Sequence, residues 1–331
     1  MDGFCSGGAG GFCSGVDRSI SRLTRRRLQI KFASNIEVEF PCFRFDGAKH
    51  QMPVSCLCTP EPLTAFSRFA LVVGHPGHEL RVFGWMSQNK PEVFVITDGS
   101  GSHDISRILS TEKTIRRVGA VPGELFGCIS DAEIYAAILG KNFPWFLRLL
   151  DGLADSFIKN RIDFVAGDAT EGFNPTHDLC RSLVNAAVLM AERATGKTIA
   201  NYEFYLSEWE QNREEPHGGR CLHLRLDDEL LRDKLNSAED YIELRSEVRK
   251  GIAQRGREYF RTECLRKITG PLSPCQDSGK ALYETWGEQR VAKGKYESVI
   301  RFQDHILPIM GAIREHSVGA SVDASSSSLR T

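Results

Sequence analysis

Through the middle of the chain, short runs of β-branched and aromatic residues alternate with longer stretches whose apolar positions recur every three or four residues. The short runs predict strands at 69–73, 93–97, 162–166 and 202–206. Helical periodicity follows at 79–88, 104–117, 131–139, 144–159 and 175–193, where Leu179, Leu183, Ala186, Ala187 and Met190 fall on one face. Strands alternating with helices of this length predict an α/β fold, a Rossmann-like open and mainly parallel sheet with helices on both faces. From Asp227 to Lys267 the sequence is charged, with Leu230, Leu231, Leu235, Tyr241, Ile242 and Leu244 at helical spacing. These read as C-terminal helices that cover the sheet rather than a separate domain. A final amphipathic helix is expected over 296–314, with Pro308 inside or near it, after a turn-rich loop at 270–279.

The two ends differ from this middle. Residues 1–45 are Gly-, Ser- and Cys-rich and then basic at Arg25, Arg26 and Arg27, which suits a flexible leader. An Arg- and Ser-rich transit peptide is the alternative, and a signal peptide is excluded by the lack of an apolar stretch. The folded domain is expected over 46–317, and the Ser-rich 318–331 reads as a disordered tail. A length of 331 residues accommodates one large α/β domain with such appendages.

Charge and composition narrow the function classes. A formal net charge of -1 gives no electrostatic reason to expect nucleic acid or an anionic membrane as partner. No apolar run approaches the ~20 residues that span a bilayer. The ten cysteines show no framework, Cys56 and Cys58 lacking the spacing of a zinc knuckle, so they read as reduced thiols. A soluble, cytoplasmic protein is expected.

Candidate chemistry lies in two segments of one design. Gly74-His75-Pro76-Gly77-His78-Glu79 and Phe173-Asn174-Pro175-Thr176-His177-Asp178 each follow a predicted strand. Each places proline at the start of a helix and a histidine in its first turn. Both segments leave the carboxyl ends of parallel strands, where open α/β sheets bind ligands. His75, His78 and His177 can then meet at one divalent ion, although a lone histidine is more often packed or solvated, and Pro-x-His at a helix start can be mere capping.

Residues 70–101 and 162–187 resemble the LmbE/PIG-L family of metal-dependent N-acyl deacetylases, including N-acetylglucosaminyl deacetylases. The family's His-Pro-Asp-Asp-Glu motif corresponds to His75-Pro76-Gly77-His78-Glu79, followed by Thr97-Asp98-Gly99, and its His-Pro-Asp-His motif to Asn174-Pro175-Thr176-His177. The resemblance implies metal ligation by His75, by His78 in place of an aspartate, and by His177, with Zn2+ or Fe2+ as cofactor. It implies a hydrolase acting on an N-acyl amino sugar or related metabolite. It also exposes a gap, because the family's general base falls on Gly77 and its assisting histidine and aspartate fall on Asn174 and Thr176. Substitutes for proton transfer are Glu79 and Asp98. Asn174, His103, Asp168 and Glu171 are candidates for contact with the substrate or an oxyanion. Glu79 can equally be a favourable first-turn charge or orient a histidine. Loss of the usual acid/base residues leaves open a metal-retaining ligand-binding protein, or a metal-dependent enzyme of another reaction class.

Overall fold

The computed structural model describes residues 27–32, 36–41, 68–101, 105–206, 221–268 and 280–319. Within the stretch expected as a leader, β1 (Arg27–Phe32) and β2 (Ile36–Pro41) pair antiparallel as a separate two-stranded ribbon. The main sheet comprises β3 (Phe69–Val73), β4 (Glu92–Thr97), β5 (Val121–Ile129), β6 (Phe164–Asp168), β7 (Ala200–Phe204), β8 (Cys221–Arg225) and β9 (Thr262–Lys267). Its order is β5-β4-β3-β6-β7-β9-β8. The first five strands in that order run parallel, and β9 and β8 add antiparallel at the far edge.

Central strands buried on both faces need continuous apolar sequence rather than alternation. Phe69-Ala-Leu-Val-Val73 and the Val93–Ile96 core of β4 supply it, each of Ala70 through Val73 being fully buried. On one face Ala70, Val72, Phe94 and Val165 pack beneath α3 (Asp131–Leu139), α4 (Phe143–Lys159), α5 (Pro175–Thr195) and α9 (Leu307–Gly319). On the other, Leu71, Val73, Val93 and Val95 meet Phe83 and Met86 of α1 (Phe83–Asn89) and Ile115 of α2 (Ile108–Arg117). The chain builds β3, β4 and β5 outward in one direction, then returns to lay β6 and β7 on the other side of β3. That reversal opens a crevice between the carboxyl ends of β3 and β6.

The four expected strands appear within two residues of their bounds, whereas β5 and β8 were not expected. The helix expected at 79–88 divides into a 3-10 turn over His78–Val82 and α1, and Pro76 precedes the cap at Gly77 instead of opening a helix. Some elements differ in kind. The stretch expected as helical from Asp227 to Lys267 forms α6 (Asp228–Asp240) and α7 (Arg245–Arg255) but ends in strand β9. There Glu263 and Leu265 face the interior, an alternation concealed by the charged residues between them. Helix α8 (Leu282–Ala292) has no counterpart among the expected elements, and the last helix begins as a π turn at Phe302–Ile306 with Pro308 just inside α9. Proline is tolerated there because first-turn amides have no partner within the helix. The loop expected at 270–279 lies outside the described residues, as do 320–331.

Candidate functional site

Sequence dictates how each histidine reaches the crevice. After β3 the chain must turn at once, and Gly74 makes the close approach possible: a Cβ there would stand 3.2 Å from Asp168 Oδ2 and 3.5 Å from the His177 ring. Gly77 then adopts φ 104°, a conformation that favours glycine, and caps the 3-10 turn His78–Val82. At α5 the Asn174 side chain accepts from the Thr176 amide at 2.8 Å, Pro175 opens the helix, and His177 lands in the first turn.

The three rings meet edge to face. Centroids are 5.5 Å apart for His75 and His78, 5.1 Å for His75 and His177, and 4.6 Å for His78 and His177. His75 Nδ1 lies 2.7 Å from Thr97 Oγ1 and 3.1 Å from Asp131 Oδ1. Because the Thr97 hydroxyl donates to the Gly74 carbonyl, its oxygen is left to accept from His75. Nδ1 therefore carries a proton, and His75 Nε2 is buried without a hydrogen bond. His78 Nδ1 stands 2.8 Å from Asp168 Oδ2, which also accepts the Gly74 amide at 2.7 Å. A carboxylate behind each of two imidazoles is the arrangement that orients histidine ligands. His177 Nδ1 is also buried without a partner, its ring stacked on Phe173.

Electrostatics favour neutral rings at His78 and His177. Burial drives His177 well below the ordinary histidine range, and the charges of His78 and His75 add to the effect. His78 is lowered too, burial outweighing the opposing pull of Asp168. Burial also works against an ionised Asp131, yet the charge and hydrogen bond of His75 prevail and hold that carboxyl below its usual range. Neutral nitrogen lone pairs left unbonded in a buried cluster fit a divalent cation. The fit requires the rings to rotate inward. Among the described residues, the set with one ligand atom from each member all within 4.8 Å is Cys221, His223 and Cys264, not this trio.

The other candidate residues are placed unequally. Asp98 follows Thr97 directly and uses Oδ1 to accept the Ser100 amide at 2.9 Å. Glu79 is fully buried, with Oε2 taken by the Gly77 amide at 2.7 Å and Oε1 by the Thr111 hydroxyl at 3.0 Å. Burial pushes its carboxyl up to about 7. Asp168, considered for substrate contact, is fully buried behind His78. Glu171 ties the loop to the end of β7 by accepting the Leu206 amide. Asn174 caps α5 and donates to the Tyr135 hydroxyl at 3.3 Å. His103 lies outside the described residues.

Sequence reasoning missed Thr97, Asp131 and Arg107. Arg107 donates from Nε to the Gly99 carbonyl at 2.6 Å, and its positive charge is felt at His78, His177 and Glu79. Asp131 could have been found, since an acid opens α3 right after a strand end, though nothing in the sequence says which strand that is.

No protein-family model matches the chain, and no curated protein matches it. Among solved structures it is similar to a deacetylase of the teicoplanin biosynthetic pathway, at 14% identity and a TM-score of 0.42, covering 64% of this chain and 100% of that one. It is similar to the A40926 pseudoaglycone deacetylase Dbv21, at 14% identity and a TM-score of 0.42, covering 62% of this chain and 99% of that one. A third is the conserved protein TT1542 from Thermus thermophilus, at 14% identity and a TM-score of 0.40, covering 64% and 100%. The α/β fold itself rests on the sheet order and strand directions. Among the described residues no helix is long and apolar enough to cross a membrane.

Proposed function

We infer that this protein is a metal-dependent hydrolase that removes an acyl group from the nitrogen of an amino sugar or a related polar metabolite. The observation that carries the reading is the meeting of three buried or half-buried imidazoles at the crevice between β3 and β6, two of them backed by carboxylates. The resemblance of the two proline-histidine segments to the deacetylase motifs supplies the reaction class.

His75, His78 and His177 would hold the ion, zinc or ferrous iron. Bound there, it would supply a Lewis acid for the scissile carbonyl. The protein's own residues supply the rest. Asp131 and Asp168 keep His75 and His78 turned toward the crevice. Of the two candidate bases we take Asp98, because both oxygens of Glu79 are already hydrogen-bonded. Asp98, with Oδ1 accepting the Ser100 amide, would take a proton from water and return it to the leaving nitrogen. Glu79, with both oxygens engaged, braces the turn that carries His78. The Arg107 guanidinium offers a counter-charge for the oxyanion.

A second reading is favoured by Gly77. The family's base position has φ 104° here, and a Cβ would stand 2.5 Å from Leu244 Cδ1. A site built to exclude that side chain suits a protein that keeps the metal and binds its ligand without deacetylating it. The discriminating experiment is acetate release from a panel of N-acetylated amino sugars by zinc-loaded and iron-loaded protein, with His177→Ala as control. Release that disappears in the control supports the hydrolase. Saturable sugar binding without release supports the second reading.

A further inference from the structure

At the far edge of the sheet, β8 and β9 pair antiparallel with Leu222 opposite Leu265 and His223 opposite Cys264. Side chains alternate between the faces of a strand. Leu222, Leu224 and Leu265 pack into the core, so Cys221, His223 and Cys264 share the outward face. Cys221 and His223 are next neighbours on that face of β8, and Cys264 stands across from His223. One ligand atom from each of the three lies within 4.8 Å of the others. This is a tighter convergence than that of the His75, His78 and His177 trio.

We propose that Cys221, His223 and Cys264 form a second metal site, selective for zinc, that clips the edge strand β8 to β9. Two sulfurs and an imidazole are a soft donor set that takes Zn2+ in preference to magnesium or calcium. On binding, each thiol releases its proton to solvent as its S–Zn bond forms. The ion stays divalent, and no oxidant or reductant is needed. Arg266 lies opposite Cys221 in the register, its guanidinium paired with Glu203. His223 is exposed and the cysteines half-buried, so the fourth position of a tetrahedral ion opens to solvent. An edge strand is the weakest-held strand of a sheet, and an ion bridging it to its neighbour fixes both pairing and register. The site is independent of the function proposed above.

Cobalt substitution tests it, because thiolate–cobalt bonds give an intense near-ultraviolet charge-transfer absorption that imidazole–cobalt bonds lack. The reduced full-length protein, stripped by chelator and titrated with Co2+, is expected to show that band. The band should persist in the His75→Ala/His177→Ala variant and vanish in Cys221→Ser and Cys264→Ser. In competition with a chromophoric chelator, each serine variant should lose zinc affinity at this site by ~100-fold or more. His223→Ala changes an exposed side chain, so it tests the site without burdening the fold; its cobalt spectrum should shift while the charge-transfer band remains. Absence of the band in the parent protein overturns the proposal. So does a band unchanged in both serine variants, or recovery of a Cys221–Cys264 disulfide in place of bound metal in the protein as purified.

Discussion

Gly77→Ala probes the turn that delivers His78 to the crevice. The residue has φ 104°, and an L side chain in left-handed backbone costs roughly 1–2 kcal/mol. The new Cβ would also stand 2.5 Å from Leu244 Cδ1, with the Tyr241 ring atoms at 3.8 Å. Leu244 can swing its terminal methyl, so overpacking adds about 1 kcal/mol rather than the upper end of its range. The expected loss is ~2–3 kcal/mol in denaturant unfolding, read as a lower midpoint at unchanged slope. Gly77→Ala/Leu244→Ala should show a favourable coupling of about 1 kcal/mol, because the steric part is relieved and the backbone part is not. Gly77→Asp, which restores the acidic residue of the deacetylase motif, should be at least as destabilising and gain no turnover. A Gly77→Ala variant within about 0.5 kcal/mol of the parent would refute the argument, as would a Gly77→Asp variant with raised activity.

Three further outcomes are expected. Asp131→Asn should weaken zinc binding at the histidine trio by ~10–100-fold with folding intact, measured calorimetrically in a Cys221→Ser background, because His75 loses the carboxylate that orients it; unchanged affinity would remove Asp131 from the site. On the substrate found by the acetate screen, Asp98→Asn should lower turnover per bound metal by ~100-fold and Glu79→Gln by less than ~10-fold, and the reverse order would make Glu79 the base. Lys234→Met should cost ~3–5 kcal/mol of stability, since Glu263, whose oxygens also hold the Gly84 and Trp85 amides, would lose the buried ammonium 2.8 Å away. Lys234→Met/Glu263→Gln should recover a large part of that loss, and equal destabilisation of single and double variants would show that the buried charge is not its source.

The central parallel strands β3, β4, β6 and β7 were legible because their signal is local. Five-residue apolar runs such as Phe69–Val73, and a helix marked by Asn174, Pro175 and an i, i+4 apolar face, need no tertiary information. The edge strands were not. β8 and β9 alternate Leu with Cys, His, Glu and Arg, and β9 follows two charged helices without a clear break in periodicity. The three histidines could be named from their spacing after strand ends, but their supports could not. Asp131 is distant from His75 in sequence and Asp168 from His78, and only the order β5-β4-β3-β6 brings those acids behind the rings. Cys221, His223 and Cys264 were hidden for the same reason: two of them are neighbours on one strand, and the third joins them through an antiparallel register that no local pattern announces.

Where the deacetylase motif has aspartates at consecutive positions, this chain has Gly77 and His78, and its acids stand one layer back. Exchanging an aspartate ligand for His78 would by itself remove a negative charge from beside the proposed ion and leave an imidazole free to rotate. Asp168 answers both losses: fully buried, it accepts from His78 Nδ1 and from the Gly74 amide, so one carboxylate fixes the ring and the chain turn that carries it. Gly77 belongs to the same rearrangement. A histidine is longer than an aspartate, and to set its ring between β3 and β6 the backbone must fold back sharply just before it. The φ of 104° performs that fold and disfavours any side chain at the position. Gly77 and His78 thus share one backbone turn, and on the proposed hydrolase reading proton transfer falls to Asp98, on the neighbouring strand end.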